Sequence, residues 1–161
     1  MDLSKLTKAD RILFGAGIVF MISTFLTWFS VSILGVSAGA NAWDVGFLWG
    51  RLPFFISLVL LVWIGLARFS TVKLPDEIPA LYLAGGGLVA LLPILKLLIG
   101  EDAGGLSVDR GFGLVVAVVA GVGVAFGGFL KFQEAGGDID ELKSQIKSTA
   151  EGLGGDKKPD A

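Results

Sequence analysis

The apolar residues of this chain are gathered into four long blocks that carry almost no charge. That grouping restricts the fold more than any single motif. A bilayer core about 30 Å thick is crossed by roughly 20 mostly apolar residues rising about 1.5 Å each. The first block runs from about Ala9 to Phe29, with an apolar continuation to Leu34. The others run over 52–69, 78–99 and 111–132. Composition points the same way. The chain is 53% hydrophobic and 17% charged, against about 25% charged in soluble domains. The expected fold is an all-α membrane protein. A four-helix transmembrane bundle fills residues 1–132, and a polar cytoplasmic tail, 133–161, carries a short amphipathic helix.

The second block is the shortest, because Arg51 and Arg68 leave 16 residues between them. Both arginines can extend toward the interfaces, which keeps it a span. Lysine and arginine placement sets the orientation, since positive residues gather on the cytoplasmic side. Lys5, Lys8, Arg11, Arg68, Lys73, Lys131, Lys143, Lys147, Lys157 and Lys158 fall on one side of the map; Arg51, Lys96 and Arg110 fall on the other. Both ends are therefore expected in the cytoplasm of a multi-pass protein. A cleaved signal peptide competes for the first block, with Ala38-Gly39-Ala40 or Ala40-Asn41-Ala42 as A-x-A sites. The apolar run exceeds the usual 7–15 residues of such a segment, so an uncleaved helix is expected.

Local signals mark helix starts. Thr7-Lys8-Ala9-Asp10 has the shape of a capping box, and Asp76 precedes the third block, with Pro79 in its first turn. In the tail, Asp138 and Glu141 form a second cap-like pair. Ile139, Leu142, Ile146 and Leu153 then share one helical face.

Several chemistries are excluded. Cysteine and histidine are absent, which removes disulfides, thiol nucleophiles, Cys/His zinc sites and imidazole catalysis. A net charge of −2 gives no attraction to nucleic acid. No charged residue falls near the middle of a block; Lys96 comes nearest and can reach the outer interface. Ser23, Thr24, Thr27 and Ser57 are polar, but hydroxyls in such helices can bond to their own backbone. Glu101, Asp102 and Asp109 match no cation loop with defined ligand spacing. Gly121-Val122-Gly123 and Gly127 mimic a nucleotide fingerprint without its spacing or its preceding strand. Gly113, Ala117 and Gly121 recur every four residues, and Gly123 and Gly127 form G-x-x-x-G. Small faces of this kind let helices approach closely, here within the chain or between copies. Gly85-Gly86-Gly87 and Pro93 make the third helix bendable.

The longest loop, roughly residues 30–50, is expected outside the cell and is the leading candidate interaction surface. It gathers Asn41, Trp43, Asp44, Trp49 and Arg51. The tryptophans suit a membrane–water interface. Asp44 either pairs with Arg51 or Arg110, or caps a short turn.

Taken together, Asp10-Arg11, Phe25-Leu26-Thr27-Trp28-Phe29, Asn41-Ala42-Trp43-Asp44 and the spacing of the later blocks resemble a group of small four-span bacterial membrane proteins of actinobacterial type. Those proteins have no assigned function and often carry proline where this chain has Thr27. The resemblance implies a bacterial plasma membrane and no chemistry. The expected function is non-enzymatic and without cofactor: an accessory or scaffold subunit whose partners are the lipid bilayer and a membrane protein or second copy. A small oligomeric channel or transporter is the alternative, and a lipid-modifying enzyme is less favoured.

Overall fold

The structure is a computed structural model describing residues 6–33, 36–69, 79–101, 108–134 and 136–154. Asp76, the inner connection around it and Asp102 lie outside these residues.

Helix α1 spans Lys8–Ser23, and its start is capped as expected. Thr7 Oγ1 accepts from the Asp10 amide at 3.2 Å, and the Asp10 carboxylate accepts from the Thr7 amide at 3.1 Å. Its end departs from expectation: the helix stops well short of Phe29. Ser23 and Thr24 hydroxyls turn back onto the carbonyls of Phe20 and Met21, both at 2.6 Å, and the amides of Thr24, Phe25 and Leu26 bond three residues back. The buried Trp28 indole takes the Ser23 carbonyl at 2.9 Å. The chain then becomes strand β1, Thr27–Ile33, whose β-branched and aromatic residues suit a pleated surface.

Strand β2, Val36–Asn41, returns antiparallel to β1, and the short strand β3, Val108–Arg110, pairs on the other side, in the order β2-β1-β3. An all-α fold is therefore corrected to a mostly helical one with a small three-stranded sheet. The two candidate cleavage sites fall in β2 and on the buried Ala42.

A π-helical turn, Phe47–Arg51, leads without a break into α2, Leu52–Phe69. The Ala42 carbonyl packs directly against Gly50, where any Cβ would collide with it. This extension resolves the short second block: the continuous helix Phe47–Phe69 has 23 residues, about 34 Å. Helix α3 spans Pro79–Ile99, α4 spans Phe112–Glu134 and α5 spans Ile139–Gly154.

Among the described residues three helices, not four, are long and apolar enough to cross a membrane: Phe47–Phe69, Ala80–Ile99 and Phe112–Glu134. With 16 residues, α1 reaches only about 24 Å. The chain through α1 and its terminal turn still accompanies α4 from end to end. Thr7 Oγ1 donates to Glu134 at one end, and Leu26 lies on Gly113 at the other.

The glycines of α4 explain how it sits among its neighbours. Gly123 and Gly127 face α1, where a Cβ would stand 2.9 Å from Ala16 Cβ and 2.8 Å from the Leu13 amide nitrogen. Gly121 faces α3, where a Cβ would stand 2.9 Å from the Val89 carbonyl oxygen, and Gly128 lies against the Tyr82 carbonyl. From the α3 side, a Cβ on Gly86 would stand 3.0 Å from the Val124 carbonyl oxygen. The expected stripe of Gly113, Ala117 and Gly121 is thus divided: Gly113 meets the turn after α1, Gly121 meets α3, and Ala117 is buried between them in sequence. Helix α2 is attached through side chains instead, Leu61 against Gly17 and Leu60 against Gly85.

Overpacking such a seam typically costs about 1–3 kcal/mol. Gly127→Ala and Gly128→Ala should therefore each lower the melting temperature in detergent. Gly15→Ala should not, because a Cβ there has no neighbour within 4 Å. Equal melting of all three variants would mean that the close approaches do not determine packing.

Candidate functional site

Charged and aromatic side chains collect at the two ends of the helical body. At the sheet end lie the residues of the long loop. Asn41 Oδ1 accepts from the Trp43 amide at 2.8 Å, and Asp44 Oδ2 accepts from the Asn41 amide at 3.0 Å. These two side chains stabilise a tight turn, as asparagine and aspartate commonly do. Arg51 Nη2 donates to the Trp43 carbonyl at 3.1 Å, and Arg110 Nε donates to the Leu97 carbonyl at 2.9 Å. Asp44 is therefore engaged as a turn acceptor, while the two arginines reach backbone carbonyls.

Trp43 stacks on Phe25 with centroids 5.8 Å apart and meets Phe54 edge-on at 5.0 Å. The cluster joins the end of α1, the loop and the start of α2. Trp49 belongs to a different group. Its ring lies 5.5 Å from Lys96 Nζ, and the Phe29 ring lies 5.6 Å from the same nitrogen. Lys96 is only 6% exposed and forms an ion pair with Glu101. Two aromatic faces and one carboxylate thus hold an ammonium that would be costly to bury alone. The loop brings Asn41, Trp43, Asp44 and Arg51 together and separates Trp49, which closes over Lys96.

The opposite end holds a cluster that sequence reasoning did not assemble. Asp10 is fully buried. Its Oδ1 lies 3.0 Å from Lys131 Nζ, and its Oδ2 lies 2.8 Å from Arg68 Nε. Lys131 is 2% exposed and also sits over the buried Tyr82 ring, 5.6 Å from its centroid. Each of α1, α2, α3 and α4 contributes one member. Thr7 extends the network outward by donating to Glu134 at 2.7 Å. Each carboxylate oxygen of Asp10 faces a cation, so the group links α1 to α2 and α4.

The sequence did contain a signal for this site. An acid lies just inside the start of the first apolar block, and a lysine lies just inside the end of the last. Antiparallel helices bring those two depths together. Among the described residues no group of three or more acidic, histidine or cysteine side chains could hold a metal ion. Ser57 Oγ and Trp43 Nε1 are buried with no hydrogen-bond partner among the described residues.

Set against protein-family models, curated proteins and solved structures, the chain finds no match in any of the three. The resemblance to four-span bacterial membrane proteins gains no relative from these comparisons. Three long apolar helices suggest a small multi-pass membrane protein.

Removing one partner from a buried ion pair costs about 3–5 kcal/mol, because the other charge is left uncompensated. Asp10→Asn and Lys131→Met should each lower detergent stability by an amount of that order. The double variant should lose less than the sum of the two. Strict additivity in thermal melts would show that the pair is not energetically coupled.

Proposed function

We propose that the protein is a non-enzymatic accessory or scaffold subunit of a plasma membrane, with the Asp10 end of its helical body in the cytoplasm and the sheet outside. The observation that carries this reading is the internal commitment of the charged groups in the helices. Lys131 and Arg68 are matched by Asp10, and Lys96 by Glu101. The hydroxyls of Ser23 and Thr24 return to their own helix. A conduction path or a proton relay needs polar groups aligned along a span and open to exchange. These groups stand at the two ends and are bound to one another.

Orientation rests on the same geometry. Thr7 and Glu134 are hydrogen-bonded, so the start of α1 and the end of α4 lie at one end of the body, beside Arg68 and Lys131. Lysine and arginine excess marks the cytoplasmic side, which assigns that end inward. What the protein offers outside is the sheet. Strand β2, Val-Ser-Ala-Gly-Ala-Asn, is largely exposed and has neither the lysine nor the proline that guards many edge strands.

Single cysteines test the orientation. In intact cells expressing the chain, Ser37→Cys in β2 should react with a membrane-impermeant thiol reagent, and Ser148→Cys in α5 should react only after permeabilisation. The reverse pattern would invert the map. Liposomes carrying the purified protein should show no ion flux above protein-free vesicles, and a reproducible conductance would replace the scaffold reading with a channel.

A further inference from the structure

The turn between α4 and α5 fixes where the last helix begins. The Gly137 amide bonds to the Phe132 carbonyl at 2.9 Å, and the Gly136 amide bonds to the Gln133 carbonyl at 3.1 Å. Gly136 has φ +75°. These two bonds and the left-handed glycine form a Schellman motif, which ends a helix and redirects the chain. The buried Phe132 ring lies against Gly137, where a Cβ would stand 2.5 Å from a ring carbon. Phe132 therefore braces the turn. One residue later Asp138 Oδ1 accepts from the Asp140 amide at 2.9 Å, capping α5. Five residue steps separate Glu134 from Ile139, at most about 17 Å of chain, so α5 starts where α4 leaves the membrane.

Helix α5 is amphipathic. Ile139 and Ile146, seven residues apart and so on one face, are 40% and 62% exposed. The spacing of Leu142 and Leu153 in the sequence continues that stripe. We propose that this face of α5 lies in the headgroup boundary of the inner leaflet, so that the helix rests along the membrane surface. The inference builds on the membrane location and orientation proposed above.

The occupant of the face is the bilayer because of the placement of α5 directly after α4, although its charge does not draw it there. An interfacial helix that binds from solution is usually rich in lysine and arginine, which draw it to anionic lipid. Here Asp138, Asp140, Glu141 and Glu151 outnumber Lys143 and Lys147. Lys143 stands 3.7 Å from Asp140, and Lys147 stands 4.0 Å from Glu151. Electrostatic capture is therefore weak. It is also unnecessary, because α4 and the braced turn already hold the helix at the surface, and a tethered segment binds at high effective concentration. Burial of a few aliphatic side chains then suffices, and neutral lipid serves as well as anionic lipid.

The full-length protein carrying Ile146→Cys, labelled with an environment-sensitive fluorophore and reconstituted into phosphatidylcholine vesicles, tests this. Ile146 is exposed, so the substitution leaves the helical body intact. The probe should emit blue-shifted relative to the same probe at Ser148→Cys on the opposite face. It should be quenched by spin-labelled lipid, and the shift should be unaffected by salt or by added anionic lipid. Three results would overturn the proposal: equal emission at the two positions, a blue shift that lipid quenchers do not touch, or a shift that fades as the protein is diluted into lipid. The second would place the face on protein, and the third would place it on a second copy. Flotation of the unlabelled protein with the vesicles separates failure of this inference from failure of the membrane reading itself.

Discussion

The arrangement of the helices depends on one buried carboxylate. Asp10 lies at the start of α1, fully enclosed, and draws Lys131 from α4 and Arg68 from α2 to its two oxygens, while Tyr82 of α3 lies beneath Lys131. Desolvating these charges costs several kcal/mol per ion, so the cluster adds little net stability over an apolar equivalent. Its contribution is selection. Sliding α4 by one turn along α1 would move Lys131 about 5.4 Å and leave Asp10 Oδ1 without its cation, with Arg68 alone facing the buried carboxylate. Charge pairing at one depth thereby fixes the relative heights of the helices.

That fixed height gives meaning to the glycines. Lipid chains are as apolar as leucine, so helices in a bilayer gain little from burying hydrophobic surface against each other and rely on close packing. Helix α4 presents Gly123 and Gly127 to α1 and Gly121 and Gly128 to α3. Several of these meet backbone atoms, which cannot rotate away as a side chain can. The approaches of Gly123 and Gly127 to α1 match the register in which Asp10 and Lys131 pair. Helix α2 meets its neighbours through leucine side chains and is pinned at its end by Arg68. It is the most exposed of the three long apolar helices, with 28% of its apolar stretch buried against 44% in the other two.

The long blocks after the first announced their helices, and the caps at Thr7 and Asp138 were legible because they depend on residues within one turn of each other. The end of α1 was not. Ala9 to Phe29 is continuously apolar enough to suggest one helix, and hydrophobicity alone cannot separate a helix from a buried strand. The deciding features were local and polar: Ser23 and Thr24 closing on their own carbonyls, Trp28 capping from beyond, and the alternation in Thr-Trp-Phe-Ser-Val-Ser-Ile. Strands β2 and β3 were hidden for another reason. Val36–Asn41 is built from small residues, and Val108–Arg110 has only three, so both owe their conformation to pairing with β1 rather than to propensity. The long loop yielded its turn residues but not its division between Trp43 and Trp49. The Asp10 cluster escaped because each member looked like an ordinary charge near a helix end, and only antiparallel packing of distant segments makes them partners.

The sheet end performs the same task as the Asp10 end by different means. The Gly111 amide bonds to the Trp28 carbonyl at 2.7 Å, and β3 pairs with β1 immediately before α4 begins. The start of α4 is thereby tied to the end of α1. The Ala42 carbonyl seats on Gly50, and Trp49 closes over Lys96, which ties α2 and α3 to the same cap. With both ends clamped, the middle of the body carries no charge and relies on contact alone. Among the described residues, β2 keeps one edge without a strand partner, and Ile139 and Ile146 of α5 keep their side chains exposed.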